Sequence, residues 1–284
     1  MLFVPALVAL AIQTSTDPLN VSIVTEDIPR FWKVFDTAKD DELESRLQHE
    51  YVDVGSPGLR EFMTLKVGSV KQLADLIKQH REVYVARRER TLRMAESTRA
   101  IRAAFCAFKY FYPKAKFPPV TFVIGRFTSA GTSGTSGLML GAEMDINDPA
   151  QAHWIVAHEL IHFNQRFGDS NLRDATLAEG SADFLGELCS GGLINTEQQQ
   201  FGRAHEAALW AQWRHDVDNG NKIADWIGSW GQKVPRPGDL GYFVGYRITE
   251  AYFLHAPDKR RAVRDILERQ DSARFIQESG YSPK

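Results

Sequence analysis

Apolar residues recur with the period of an α-helix through most of the first 112 residues. Leu73 and Ile77 share one face of a predicted helix that Ser69 is suited to cap. An apolar stripe over residues 101–112 predicts a further helix, which Pro113 ends. This part of the chain is therefore predicted to be helical.

The pattern changes after the dipeptide Pro118-Pro119. Residues 120–127 ("VTFVIGRF") and 137–144 ("GLMLGAEM") are short, continuous apolar runs typical of buried strands. The sequence "TSAGTSGT" between them is rich in turn residues, which predicts a hairpin with a mobile tip. No lysine and no helix follow these glycines directly, which argues against a phosphate-binding loop.

Helical periodicity returns at residue 148. Asp148 and Pro149 are suited to begin a helix that Gly168 ends, and this helix is apolar on nearly all sides. A second helix ends at the Gly191-Gly192 pair, and others are predicted near residue 196 and in the C-terminal region. A helix that is apolar all round is expected to be buried.

Composition narrows the class of protein. Of the 284 residues, 43% are hydrophobic and 25% are charged, as in ordinary globular proteins, and the net charge of -2 gives no case for nucleic-acid binding.

The apolar run Leu2 to Ile12 predicts an export signal, with a buried strand as the alternative. It is too short to span a bilayer, so no transmembrane anchor is predicted. Cys106 and Cys189 are expected to be small core residues rather than a disulfide.

The buried helix carries the motif His158-Glu159-x-x-His162 in the stretch "VAHELIHFNQ". His158 and His162 lie one helical turn apart, so their imidazoles can point toward one metal ion. Glu159 projects beside them, where a carboxylate can act as a base. Buried polar side chains need partners, and a zinc ion is the partner that this spacing favours.

A third ligand is expected on the following helix. The metzincin arrangement is excluded because Gln165 and Gly168 stand where that class has glycine and histidine. Glu179 lies about two turns into the next helix, level with the histidine pair if that helix returns alongside. Glu179, Asp183 and Glu187 recur every four residues; a solvated acidic face is the alternative interpretation of this stripe.

The motif His158-Glu159-x-x-His162, followed after sixteen residues by Glu179-x-x-x-Asp183, resembles that of the gluzincin metallopeptidases, of which thermolysin is a member. The stretches "YPKAKFPPVTFVIGRF", "EGSADF" and "GYFVGYRI" extend the resemblance to a bacterial family of predicted zinc-dependent proteases related to the gliding-motility protein GldB. The resemblance covers most of residues 25–255.

The resemblance implies a role for each matching residue. His158, His162 and Glu179 would hold one Zn²⁺ and leave a fourth position for water. Glu159 would act as the general base, and Asp183 would accept a hydrogen bond from the other ring nitrogen of His158. No role follows for Glu187.

The resemblance also implies that an edge strand above the active helix pairs with extended substrate backbone. The candidate strand consists of Gly137, Leu138, Met139, Leu140 and Gly141. A plain core hairpin is the alternative.

A donor for the oxyanion is expected on the helix in "GYFVGYRITEAYF", where Tyr242 and Tyr246 lie one turn apart. A phenol stays protonated at neutral pH and can donate its hydrogen. Tyr246 is slightly preferred because Gly245 beside it allows another backbone to come close, and simple packing is the alternative for both.

Together these patterns predict an α+β fold, predominantly helical, with a zincin-like small sheet and the histidine helix packed against the glutamate-bearing helix. The expected regions are an export signal at 1–16, a helical region at 17–117 and a catalytic region at 118–284, the last two forming one compact unit. The expected function is an exported zinc peptidase, in the periplasm or outside the cell, acting on a peptide or protein substrate. The alternatives are a non-catalytic envelope scaffold and an aminopeptidase that uses Glu143 as its anchor.

Overall fold

The computed structural model describes most of the chain: residues 14–145, 147–168, 170–220, 223–229 and 236–284. The predicted export signal over Leu2 to Ile12 lies outside these residues. Within them, the chain is mostly helical and has one small mixed sheet of four strands, which confirms the predicted α+β class.

The described residues divide into two compact units. The first contains residues 14–95 and 117–148, and the second contains residues 96–116 and 149–284. The chain therefore crosses between the units three times. This division does not follow the predicted regions 17–117 and 118–284, because the strands after Phe117 belong with the N-terminal helices.

The first unit has six short α-helices. They are α1 (Asp27–Thr37), α2 (Leu43–Leu47), α3 (Pro57–Phe62), α4 (Val70–Gln79), α5 (Arg81–Val85) and α6 (Arg88–Leu92). Ser69 caps α4 in a reciprocal capping box with Gln72, as its sequence predicts. The aromatic rings of Phe31, Tyr51 and Tyr84 meet in the core of this unit.

The sheet lies in the first unit. Its strands are β1 (Ile23–Val24), β2 (Val120–Val123), β3 (Gly131–Gly134) and β4 (Gly137–Gly141), in the order β1-β2-β4-β3. β1, β2 and β4 are parallel, and β3 is antiparallel to β4. β1 is a short exception to the helical prediction for the first 112 residues.

The predicted hairpin is wrong in its pairing. β2 and β4 are parallel, with Val120 opposite Leu138, and the hairpin partner of β4 is β3, which the Gly/Ser/Thr-rich segment forms. Glu61 holds the β3–β4 turn by accepting hydrogen bonds from the backbone N–H groups of Thr135 and Ser136. The buried residues on both central strands are typical of parallel pairing, which local sequence does not distinguish from a hairpin.

The predicted substrate strand is not an edge strand. Its residues, Gly137 to Gly141, form β4, which is hydrogen-bonded to β2 on one side and β3 on the other. All five are buried. A peptide cannot add to a strand whose two edges are already paired. Among the described strands, β1 and β3 form the sheet edges.

The second unit consists of helices. They are α7 (Thr98–Phe111), α8 (Ala152–Asn164), α9 (Leu172–Ser190), α10 (Thr196–Ala204), α11 (Glu206–Asn219), α12 (Ile223–Trp226), α13 (Leu240–His255), α14 (Lys259–Glu268) and α15 (Ser272–Ser279). α9 is central, because α7, α8 and α13 all pack against it. Its end at Gly191, in the left-handed conformation, is as predicted.

The ends of α8 differ from the prediction. The helix begins at Ala152 after Gln151, not at Pro149, and ends at Asn164, four residues before Gly168. The Asn164 side chain explains the early end. It donates to the Lys116 carbonyl oxygen (3.0 Å) and accepts from the Lys116 N–H (2.8 Å), which ties this point of α8 to the segment after α7.

The two cysteines are both free. Cys106 is exposed, so its prediction as a core residue is wrong, and Cys189 is partly buried. Burial raises the pKa of the Cys189 thiol to about 12. In the described part of the chain, no helix combines the length and apolar character needed to cross a bilayer.

Glu143 is a buried carboxyl of the first unit, only 1% exposed. It accepts a hydrogen bond from the N–H of Phe127 (3.2 Å), whose φ of 61° is unusual for a residue other than glycine. A Cβ at Gly125 or Gly141 would lie about 3 Å from its carboxylate oxygens, so both glycines make room for it. A buried carboxyl group of this kind cannot bind the amino group of a substrate, so Glu143 does not support the aminopeptidase interpretation.

Burial raises the pKa of Glu143 to about 7, although backbone N–H groups and Arg90 oppose this. The folded state therefore binds a proton that the unfolded chain, with a pKa of 4.5, releases. The free energy of unfolding should fall as pH rises from about 4.5 to about 7, by about 3 kcal/mol at most, and then level.

Glu143→Gln should remove this decline. Urea unfolding followed by Trp fluorescence at several pH values between about 4.5 and 8 measures it. Glu89→Gln, at an exposed position of the same unit, controls for the loss of one charge. Parallel pH profiles for the native and Glu143→Gln proteins would contradict the prediction.

Candidate metal centre

Two histidines of α8 face one point in the second unit. His158 is 5% exposed, and its ring lies 4.6 Å from the ring of His162 between centroids, with the planes nearly perpendicular. The two Nε2 atoms are 3.0 Å apart. The one-turn spacing of the motif therefore does bring both imidazoles together, as its sequence predicts.

α9 supplies a carboxylate to the same point. Glu179 Oε2 lies 3.1 Å from His162 Nε2 and 3.4 Å from His158 Nε2. Glu179 lies about two turns after Leu172, the first residue of α9, and α8 packs against α9. His158, His162 and Glu179 are grouped closely enough to hold one metal ion.

Glycines allow the three helices to approach this closely. A Cβ at Gly186 of α9 would meet the backbone of His158 at 3.3 Å. A Cβ at Gly180 would lie 2.1 Å from the backbone of Gly245, and one at Gly245 would lie 1.9 Å from the Thr176 carbonyl oxygen. The backbones of α9 and α13 are therefore in direct contact where the two helices cross. This contact brings the side chains of neighbouring residues on the two helices close together.

The outer nitrogen of each imidazole faces an acceptor. His158 Nδ1 is 2.8 Å from Asp183 Oδ1, and Asn195 donates to the other oxygen of that carboxylate at 2.7 Å. His162 Nδ1 is 2.9 Å from Gln165 Oε1. His162 Nδ1 is hydrogen-bonded to Gln165 Oε1, so in the neutral ring it carries the hydrogen and Nε2 presents its lone pair to Glu179. The short distance from His158 Nδ1 to Asp183 favours the same form of that ring.

The carboxylates around the two imidazoles favour the protonated, positively charged forms of the rings. Burial would lower the pKa of His158, but the Asp183 and Glu179 carboxylates outweigh it and raise the pKa to about 10. The same balance, through Glu179, raises the pKa of His162. Burial opposes ionisation of Glu179, yet the two imidazoles hold its pKa well below the ordinary value. Two nitrogens and a carboxylate oxygen in contact need protons or a metal ion between them.

The donor set fits zinc. Two imidazoles and one carboxylate are a common ligand set of catalytic zinc, which keeps a fourth position open. Ligand atoms at about 2.0–2.2 Å from a tetrahedral ion lie about 3.3–3.6 Å apart. The three separations here are 3.0, 3.1 and 3.4 Å, so the two shorter ones would widen by about 0.2–0.3 Å around the ion. The side chains of His162 and Glu179 are 21% and 22% exposed, so solvent reaches one side of the group.

Glu159 lies next to the group on α8. It is partly buried, and among the described residues its carboxylate has no hydrogen-bond or ion-pair partner. Its negative charge contributes to the raised pKa of His162. A carboxylate near a metal site, without a structural partner, is suited to accept a proton.

The structure separates the two tyrosines of α13. The Tyr242 ring is stacked on His158, with centroids 6.2 Å apart, and burial together with the Glu179 charge raises its pKa well above the ordinary value. The Tyr246 hydroxyl donates instead to Glu187 at 2.7 Å. The contacts therefore favour Tyr242 over the preferred Tyr246 as the candidate donor, because Tyr242 lies beside His158 whereas the Tyr246 hydroxyl is engaged with Glu187. Glu187 gains a role as the partner of Tyr246.

Two neighbours of the group were not predicted from sequence. Asn195 lies between α9 and α10, and Gln165 was considered only as a departure from the metzincin pattern. Neither residue belongs to a recognisable motif. Each lies just beyond the end of a helix, Gln165 after α8 and Asn195 after α9, and its side chain reaches the site from there. The predicted substrate strand, Gly137 to Gly141, belongs to the first unit, whereas the metal group belongs to the second.

No protein-family model, curated protein or solved structure matches the chain. The gluzincin resemblance therefore depends on the sequence motifs, and the function is argued from the site itself.

Removing a ligand should weaken zinc binding. His158→Ala, His162→Ala and Glu179→Gln should each lower zinc affinity by about 10- to 100-fold or more, since each deletes one bond to the ion. Competition with a chromophoric chelator measures the affinity. Glu187→Gln, two turns along the same helix, is the matched control and should bind zinc normally. Equal losses in Glu179→Gln and Glu187→Gln would contradict the assignment.

Proposed function

We propose that this protein is a zinc-dependent peptidase whose active site lies in the second unit. The observation that carries the proposal is the contact of His158 Nε2, His162 Nε2 and Glu179 Oε2 at 3.0–3.4 Å, with an unpartnered Glu159 beside them. A purely structural zinc site would need no such base and would be closed by a fourth protein ligand.

A zinc ion held by these three residues would acidify a water molecule and polarise a substrate carbonyl. Glu159 would take a proton from the attacking water and deliver it to the departing amine nitrogen. Asp183, whose Oδ1 lies 2.8 Å from His158 Nδ1, would hold the hydrogen of that ring on Nδ1, so that Nε2 remains available as a ligand.

Tyr242 would donate a hydrogen bond to the carbonyl oxygen as negative charge develops there. Its raised pKa keeps the phenol protonated throughout the neutral range, as this role requires. Its stacking on His158 and its position in α13, fixed by the Gly180–Gly245 contact, hold the ring beside the ligands.

Amide bonds of peptides or proteins are the proposed substrates, as the gluzincin resemblance implies. A non-catalytic scaffold with the same metal group is the competing interpretation. Proteolysis of a casein-type substrate, with and without a chelator, separates the two, because only a peptidase loses an activity when its metal is removed.

Glu159→Gln should keep its zinc and lose hydrolysis by about 10²- to 10⁴-fold, because the amide preserves the shape of the carboxylate but cannot accept the proton. Zinc content and casein hydrolysis are measured on the same sample. Loss of zinc from this variant, or unchanged turnover, would show that Glu159 has another role.

Tyr242→Phe should lower kcat by about 10²- to 10³-fold while leaving zinc binding intact. Tyr246→Phe is the matched control one turn along the helix, and it should retain activity because its hydroxyl serves Glu187. Equal activity of Tyr242→Phe and the native enzyme would mean that the donor lies elsewhere.

A further inference from the structure

The side chain of Gln165 connects His162 to α9. Gln165 is the first residue after α8, and its extended backbone (φ -66°, ψ 144°) allows the side chain to return toward the helix it follows. Its Oε1 is 2.9 Å from His162 Nδ1. Its Nε2 donates to the Ala178 carbonyl oxygen at 2.8 Å and to Ser181 Oγ at 3.0 Å.

These partners fix the orientation of the amide. The Ala178 carbonyl can only accept, so the NH₂ group must face it. Ser181 donates its own hydrogen to the Leu177 carbonyl oxygen at 2.6 Å, so its oxygen is free to accept from Gln165 as well. The carbonyl oxygen of Gln165 must then face His162, whose Nδ1 carries the hydrogen. His162 Nε2 consequently points its lone pair at Glu179.

The same amide also fixes a spacing. Ala178 directly precedes Glu179 in α9, and Ser181 follows two residues after it. Gln165 therefore links one proposed ligand, His162, to the backbone that carries another, Glu179. His158 is held differently, by the charged Asp183 on α9 itself. At His162 the acceptor is a neutral amide, which orients the ring without adding a second negative charge.

We propose that Gln165 is a positioning residue for the metal: it keeps His162 in the form with the hydrogen on Nδ1 and sets the distance between His162 and Glu179. The inference rests on the proposed metal site. It does not depend on which substrate the site cleaves, or on whether it cleaves one.

The test uses the full chain and zinc alone. Gln165→Met retains the side-chain length and removes the three hydrogen bonds; it should lower zinc affinity by about 10- to 100-fold in chelator competition. Gln151→Met, at the exposed opposite end of α8, is the control and should bind zinc as the native protein does.

A spectroscopic measurement isolates the positioning role. In zinc-loaded protein labelled with ¹⁵N-histidine, the His162 Nδ1 proton should be observed and should exchange slowly with water. Gln165→Met should accelerate that exchange, while the exchange of the His158 Nδ1 proton, which faces Asp183, should not change. A structural defect elsewhere would not separate the two rings in this way.

Each possible result of these two experiments either supports or overturns the proposed role of Gln165. Native zinc affinity in Gln165→Met, or an unchanged His162 proton, overturns the role of Gln165 and leaves the proposed function standing. No zinc binding by the native protein overturns both. If Gln165→Met does not fold, the native spectrum still decides, because zinc-loaded protein with His162 protonated on Nε2 would refute the inference.

Discussion

Three electron-pair donors lie in contact at one point of the second unit, and the rest of the site depends on their need for a cation. His158 Nε2, His162 Nε2 and Glu179 Oε2 are 3.0–3.4 Å apart. Asp183 and Gln165 face the outer nitrogens of the two rings, so that Nε2 of each ring points at Glu179. Without a metal the group retains protons, as the raised pKa of His158 shows. A buried charge of this kind is tolerated only when it is matched.

The contact between helices makes this convergence possible. Gly186 lets α9 lie against the backbone of α8 at His158, and Gly180 meets Gly245 where α9 crosses α13. α9 thus presents Glu179 and Asp183 to α8 while α13 brings Tyr242 to the same place. Small residues at these crossings serve the geometry of the site as much as the packing of the core.

The helical periodicity of the sequence was sufficient to predict those features of the site that depend on residues close together along the chain. The histidine pair follows from one turn of α8, and Glu179 follows from the length of the return to α9. The features that the sequence did not predict depend on contacts between residues that are distant along the chain. The parallel pairing of β2 with β4 depends on strand neighbours distant in sequence, and α8 ends early because Asn164 binds Lys116. Tyr242 and Tyr246 lie one turn apart, and the position of Gly245 in the sequence favoured Tyr246, whereas the contacts of the two side chains with distant residues favour Tyr242.

The proposed function requires one zinc ion, with an open coordination position, in the second unit. Elemental analysis combined with X-ray absorption at the zinc edge, on protein purified without added metal, measures both the content and the ligands. We expect one zinc per chain, bound by two imidazole nitrogens and by oxygen from Glu179 and water. Protein that retains no metal even when zinc is supplied, or zinc bound through sulfur, would contradict it.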